Sequence, residues 1–257
     1  MALVDLAHDD AGDGPVVVLV HGHPFNRGMW APQLDALRSR FRVIAPDLRG
    51  YGDSPVTPGT VTMAQLAADV SHLLDRKGIA TAALVGLSMG GLVVMELAAA
   101  QPEHWWAHGF IATTAQRVTA EEAQARLASA RTMEEQGMRP VAEQMAARLF
   151  GPEPSAELTA QIMAMMLATS PAGAAAAVRG RAERPDYQPV LKSLSAPALV
   201  CAGDRDSYST AEITAELAGC LRDPEVVVMD GVSHLPNLER PGDFNEHLLR
   251  FLGRVLP

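Results

Sequence analysis

The sequence predicts an α/β protein: a mostly parallel central sheet with helices on both faces, and a small all-helical insertion. Three observations predict it. Short continuous apolar runs at Val16–Val20, Arg42–Ala45, Thr81–Val85, Phe110–Thr113, Ala198–Ala202 and Val226–Met229 alternate with stretches of helical character. Runs without polar alternation belong to strands covered on both faces, as parallel strands are. Between Gln116 and Glu183 the alternation stops and no strand-like run occurs. A chain of 257 residues, 48% hydrophobic and 20% charged, is long enough for one large core carrying an insert.

Each element has a local reason. The first run ends at His21-Gly22, and Pro32 to Arg38 reads as a helix. The second run ends at Pro46-Asp47, and Thr62 to Arg76 is helical, stopped by Lys77-Gly78. Thr81–Val85 leads into Gly86-Leu87-Ser88-Met89-Gly90-Gly91, and Leu92 to Ala100 is helix-like. In the insertion, Thr119 and Glu122 have the spacing of a capping box. Helices are expected over Pro140–Phe150 and Ser155–Ala168. Ser170 and Pro171 suit the cap and first position of a fourth helix reaching Arg181. A helix from Pro241 to Leu252 closes the chain. The expected division is a core of residues 1–115 and 185–257 with a helical lid over 116–184.

Charge and composition exclude several roles. A formal net charge of −9 repels phosphate backbones and anionic lipid, so neither nucleic acid nor membrane is expected as a partner. No apolar run approaches the ~20 residues that span a bilayer. The first ten residues lack the basic and apolar regions of a signal peptide. Cys201 and Cys220 have no framework or metal spacing, and Cys201 sits in an apolar run as a small core residue. A reducing cytoplasm is the expected setting.

Gly86-Leu87-Ser88-Met89-Gly90 carries the chemistry. Gly-x-Ser-x-Gly also occurs in ordinary turns, but here a strand precedes it and an apolar helix follows, the context of a nucleophile elbow. The turn is tight enough that side chains two before and two after the serine would collide, and glycine removes the collision. Ser88 is expected in a strained conformation that lifts its hydroxyl clear of the sheet. Gly91 lets the helix approach the strands.

A serine hydroxyl is a weak nucleophile near neutral pH and needs a base, which in turn needs a carboxylate to orient it. His234 follows the last strand, in Asp230-Gly231-Val232-Ser233-His234, and is the expected base. The carboxylate should follow the preceding strand, where Gly203-Asp204-Arg205-Asp206 offers two; Asp206 is the choice, and Asp204 suits a turn. The oxyanion needs two N–H donors. Met89, the residue after the serine, supplies one, and His23, in the loop after the first apolar run, supplies the other. His21 and His23 also spell His-x-His, but no partner aspartate-histidine pair completes a metal site. Neither metal nor cofactor is expected.

Taken together, His21-Gly22-His23-Pro24, Asp47-Leu48-Arg49-Gly50-Tyr51-Gly52-Asp53-Ser54, Gly86-Leu87-Ser88-Met89-Gly90-Gly91, Gly203-x-x-Asp206 and Gly231-x-x-His234 resemble the landmarks of the α/β-hydrolase fold superfamily, in its Ser…Asp…His order. The resemblance covers nearly the whole chain outside the insertion. It is nearest to small bacterial esterases, enol-lactone hydrolases and cofactor-free haloperoxidase-like perhydrolases. It implies hydrolysis of a small or medium, partly apolar ester or lactone through an acyl-enzyme. Ser88 argues against the dehalogenases and epoxide hydrolases of the superfamily, which use aspartate. C–C bond hydrolysis, perhydrolysis, and ligand binding without catalysis stay open, and oligomeric state is not legible.

Three further readings concern packing. Arg49 is expected to anchor its loop through charge-assisted bonds. Trp105 and Trp106, following a helix, are expected to pack. Met133, Met138, Met145, Met163, Met165 and Met166 recur in the insertion, where core packing is the default. Met145 and Met163 are the candidates for lining an acyl pocket.

Overall fold

In a computed structural model, which describes residues 2–151 and 154–257, the apolar runs assemble into one seven-stranded sheet. The strands are β1 (His8–Ala11), β2 (Val16–Val20), β3 (Arg42–Pro46), β4 (Ala82–Leu87), β5 (Trp105–Ile111), β6 (Ala198–Gly203) and β7 (Glu225–Met229), in the order β1-β3-β2-β4-β5-β6-β7. All neighbouring pairs are parallel except β1 with β3.

Residues of one strand serve two cores, as a doubly covered sheet requires. Val18 and Val20 face one apolar cluster, and Val17 and Leu19 the other. The first cluster is covered by α2 (Met63–Arg76), α3 (Met89–Ala100), α8 (Gln188–Ser193) and α9 (Ala211–Gly219). The second is covered by α1 (Ala31–Leu37) and α10 (Pro241–Arg254), which buries Phe244, Leu248, Phe251 and Leu252 along one stripe.

The insertion is helical, as its sequence predicts: α4 (Ala120–Gln136), α5 (Arg139–Leu149), α6 (Ala156–Ala168) and α7 (Pro171–Ala182). The Thr119–Glu122 capping box forms, and Ser170 caps α7 by accepting from Gly173 N–H. α4 and α7 share a small core of their own, built around Ala130, Met133, Ala174, Ala175 and Val178. The opposite side of α7, through Ala176 and Ala177, joins the main core. Backbone meets backbone there: a Cβ on Gly180 would stand 1.9 Å from the Val61 carbonyl oxygen, and one on Gly173 2.2 Å from that of Gly50. Val61 N–H donates to Ala176 O at 3.0 Å. α7 is thus fastened to the core as well as to α4.

Several boundaries differ from the sequence reading. β5 begins at Trp105, so Trp105 and Trp106 open a strand, and the strand ends before Thr113. Trp105 is buried, its indole N–H donating to Leu97 O at 2.9 Å. β1 lies outside the sequence expectations because it is polar. It pairs on one side only and is held by ion pairs from Arg42 and Lys77 to Asp10. Among the described residues, no single helix is long and apolar enough to cross a membrane.

Candidate active site

Ser88 sits between β4 and α3 with φ 54 and ψ −112, a region that side chains rarely enter. The glycines make this possible. A Cβ on Gly86 would lie 2.3 Å from Gly90 O, one on Gly90 2.1 Å from Val20 O, and one on Gly91 2.7 Å from the Thr113 side chain. The turn is pinned by Ser88 N–H donating to Ile111 O at 2.8 Å and Thr113 Oγ1 donating to Ser88 O at 2.7 Å.

Two loops beside the elbow are zipped to each other. Asp204 N–H donates to Met229 O at 3.0 Å, and Arg205 N–H to Val232 O at 2.9 Å. Gly203 permits the approach, since its Cβ would stand 2.1 Å from Val232 O. The result brings the carboxylate Oδ2 of Asp206 to 2.8 Å from Nδ1 of His234, both residues being buried. Asp206 also accepts Tyr208 N–H and Ser209 N–H on Oδ1, and Ser209 Oγ–H on Oδ2. Burial alone would raise its pKa. The bonds from His234, Ser209 and Tyr208 outweigh that and hold it at about 2. A charged carboxylate only accepts, so Nδ1 of His234 carries the hydrogen, and in the neutral ring Nε2 is left with the lone pair. Asp204 and Asp230 are exposed, and the carboxylate of Asp204 pairs with its neighbour Arg205.

The loop after β2 reaches the same place: a Cβ on Gly22 would lie 3.4 Å from Ser88 Cβ. The N–H groups of His23 and of Met89, the first residue of α3, donate to no acceptor among the described residues. The ring of His23 lies 2.8 Å from Tyr51 Oη through Nδ1; burial and the charge of Arg181 keep it neutral, well below the ordinary histidine range. His21 is committed elsewhere: Nδ1 reaches Gly22 O at 2.8 Å, and Nε2 accepts Leu48 N–H at 2.9 Å. That leaves His21 no ligating nitrogen, and among the described residues no cluster of metal-binding side chains occurs.

Ser88, His23 and His234 open on one cavity of about 540 Å³, roofed by residues of α4, α5 and α7. Among the described residues no hydrogen bond joins Ser88 Oγ to His234. Such contacts are commonly long in a free enzyme and tighten around substrate. Met145 lines the cavity as well as packing against the core; Met163 does not line it and, with Met165, only packs against the core. Met133, Met138 and Met166 are buried packing residues. Arg49 anchors its loop by two bonds to buried Asp69, at 2.6 and 2.7 Å. Cys201 is buried, its thiol pushed up to about 12.

Some contributors escaped the sequence reading. Glu239 accepts N–H groups from Ser233, Leu235 and Gly151, bracketing His234. The ring of Tyr208 lies 4.9 Å from that of His234, and the Arg148 guanidinium covers Tyr208 at 4.2 Å. The available signals were a polar Asp206-Ser207-Tyr208-Ser209 turn and a glutamate five residues beyond His234.

Residues 17–247 match the profile of the Alpha/beta hydrolase family. The chain is 34% identical over 236 residues to 3-oxoadipate enol-lactonase 2 of Acinetobacter baylyi, covering 91% of this chain and 86% of that protein. Among solved structures it is similar to a thermophilic esterase from Thermogutta terrifontis, in malate-bound form, with TM-score 0.97 and 35% identity over 99% of this chain and 95% of that one. It is also similar to the enol-lactonase of Burkholderia xenovorans LB400, with TM-score 0.88 and 30% identity over 97% of each chain.

Proposed function

The chain belongs to the alpha/beta hydrolase family, and on that premise we propose that it hydrolyses carboxylic esters or lactones through an acyl-enzyme formed on Ser88. The observation that carries this reading is the Asp206–His234 bond of 2.8 Å, opening on the cavity that also receives Ser88. The names of its relatives, enol-lactonases and esterases, support the bond type.

In this mechanism Ser88 Oγ attacks the carbonyl carbon as its proton passes to Nε2 of His234. Asp206 keeps the ring in the accepting tautomer and stabilises the imidazolium. The oxyanion takes hydrogen bonds from the N–H groups of Met89 and His23. Collapse expels the alkoxide, which takes the proton from His234; in a lactone it stays tethered to the acyl chain. Water then attacks the acyl-enzyme, giving its proton to His234, and Ser88 is regenerated. α4 and α5, with the end of α7, act as a lid that shelters the substrate. None of these steps calls on a cofactor or a metal, and the substrate is a small molecule.

The test is a fluorophosphonate probe followed by peptide mapping, together with rates on small esters and lactones. Label at Ser88 alone is expected, and Ser88→Ala should lower turnover by roughly 10³ or more. Undiminished ester hydrolysis in a folded Ser88→Ala variant overturns the reading.

A further inference from the structure

The cavity over Ser88 is unbalanced in charge. Arg117, Arg126, Arg148, Arg181 and Arg184 line it against one carboxylate, Glu122, in a chain whose formal net charge is −9. An excess of positive charge is therefore not a property of the whole chain. Arg148 is engaged, stacked on Tyr208 and bonded to Ser207 at 3.0 and 3.2 Å. Three others are under-used. Arg184 is only 5% exposed and places Nη2 on Gln116 O at 3.2 Å, while its Nε has no hydrogen-bond partner among the described residues. The Nε of Arg181 and Nη1 of Arg126 are likewise buried and unpartnered. Glu122 stays 3.8 Å from Arg126 Nη1 and is half exposed, so it does not neutralise the group.

Position makes this more than a packing accident. Arg126 comes from α4, and Arg181 and Arg184 from the end of α7 and the residues just after it. Their charges meet over the same space as Ser88. Arg181 is held in place by its neighbour Gly180, whose backbone lies against that of Val61. Burial and mutual repulsion lower Arg181 and Arg184 to about 10, yet both stay charged at neutral pH. Three guanidinium groups with buried, unpartnered N–H groups, kept close together around a single distant carboxylate, are costly. Guanidinium N–H forks match a carboxylate better than any neutral group.

We propose that Arg126, Arg181 and Arg184 form a carboxylate subsite, so that the preferred ester or lactone carries a second, ionised carboxylate away from the scissile carbonyl. This rests on the ester-hydrolase reading above and adds a substrate class to it. An anion entering the cavity completes the unpaired donors, and the local positive field draws it in despite the net negative surface.

Two pairs of substrates test it with the charge on either side of the scissile bond. Monomethyl esters of dicarboxylic acids from succinate to suberate are compared with methyl esters of uncharged acids of like length. 6-Acetoxyhexanoate is compared with hexyl acetate. The expected result is a preference for the charged member in at least one pair. Arg181→Gln and Arg184→Gln should each cut that preference roughly 10- to 100-fold, and Arg181→Lys should cut it less. A ratio of rates on one preparation does not depend on how much of a variant folds. Calorimetry with the dicarboxylates themselves gives a reading apart from turnover: saturable binding to the parent, lost in Arg184→Gln and absent for the matching diamides. Neutral esters hydrolysed with no charged preference and no dicarboxylate binding overturn the subsite and leave the hydrolase. Arginine-dependent binding with no ester turned over keeps the subsite and removes the hydrolase. A preference undiminished in both glutamine variants overturns the assignment to these residues.

Discussion

Ser209 Oγ donates at 2.7 Å to Oδ2 of Asp206, the same oxygen that faces Nδ1 of His234 at 2.8 Å. With two further N–H bonds on Oδ1, the carboxylate cannot rotate without losing several contacts at once. An amide in its place would offer a donor where an acceptor is needed. Asp206→Asn should therefore lower kcat on the order of 10²–10⁴ by favouring the wrong histidine tautomer. Asp204→Asn and Asp230→Asn, at exposed positions, should stay within about tenfold of the parent, roughly 1.4 kcal/mol. Steady-state rates for the three variants decide the matter; a crippled Asp204→Asn beside a healthy Asp206→Asn moves the acid to Asp204.

Glu239 holds the histidine loop by accepting Ser233, Leu235 and Gly151 N–H groups. Hydrogen bonds to a charged group contribute about 1.5–3 kcal/mol, so Glu239→Ala should lower the melting temperature and slow turnover together. Glu239→Gln keeps an acceptor oxygen and should lose less of both. Thermal melts alongside kcat for the two variants test this. Full activity and stability in Glu239→Ala would mean that other contacts hold the loop.

Met145 and Met163 separate pocket from packing. Both pack against the core, but only Met145 also lines the cavity. Met145→Ala should shift the preferred acyl length upward in an ester series. Met163→Ala should leave relative rates alone and lower stability, by an amount at or below the ~2–5 kcal/mol of a fully buried methionine. An acyl-length profile that moves with Met163 and not with Met145 reverses these roles.

His108 gives a pH dependence unrelated to catalysis. It is 1% exposed on β5, stacked on Phe110, with neither ring nitrogen hydrogen-bonded among the described residues. Burial lowers its pKa from 6.5 to about 4. The unfolded chain takes up this proton below about pH 6.5 and the folded chain only near 4, so stability is fully present above the higher value and falls as pH drops between them. The loss is of order 3 kcal/mol at most. His108→Leu should be flatter across that window in urea titrations and no less stable than the parent at pH 7. Parallel pH profiles for parent and variant would show that His108 does not contribute.

The sheet was legible because strands buried on both faces must be apolar throughout, and Val16–Val20 and Ala198–Ala202 are. The geometry of the candidate site was legible where close approach forces local sequence: the Ser88 turn admits only glycine at 86 and 90, and Asp206 and His234 follow strands that end side by side. β1 was not legible, since an edge strand held by Arg42 and Lys77 on Asp10 shows no apolar run. The contrast between Met145 and Met163 was not legible either, because it depends on how α5 and α6 turn against the core. The arginine group joins residues from α4 and the end of α7, far apart in sequence, and only the packing of those helices brings them to one cavity.

The backbone seams Gly180–Val61 and Gly173–Gly50 bear on how such proteins can exchange parts. A cap grafted from a relative at residues 116–184 would carry α7 with it and cut both seams, along with the Val61–Ala176 bond. The recipient scaffold would then lose a wall that it needs to stand. A graft cut between α6 and α7, leaving Ser170 onward in place, keeps that wall, and has to rebuild only the contacts that Ala142, Leu149, Ile162 and Met166 make with the core. The segment that can be exchanged without cutting these seams is therefore shorter than the run of inserted helices, and α7, although it follows them in sequence, is packed as scaffold.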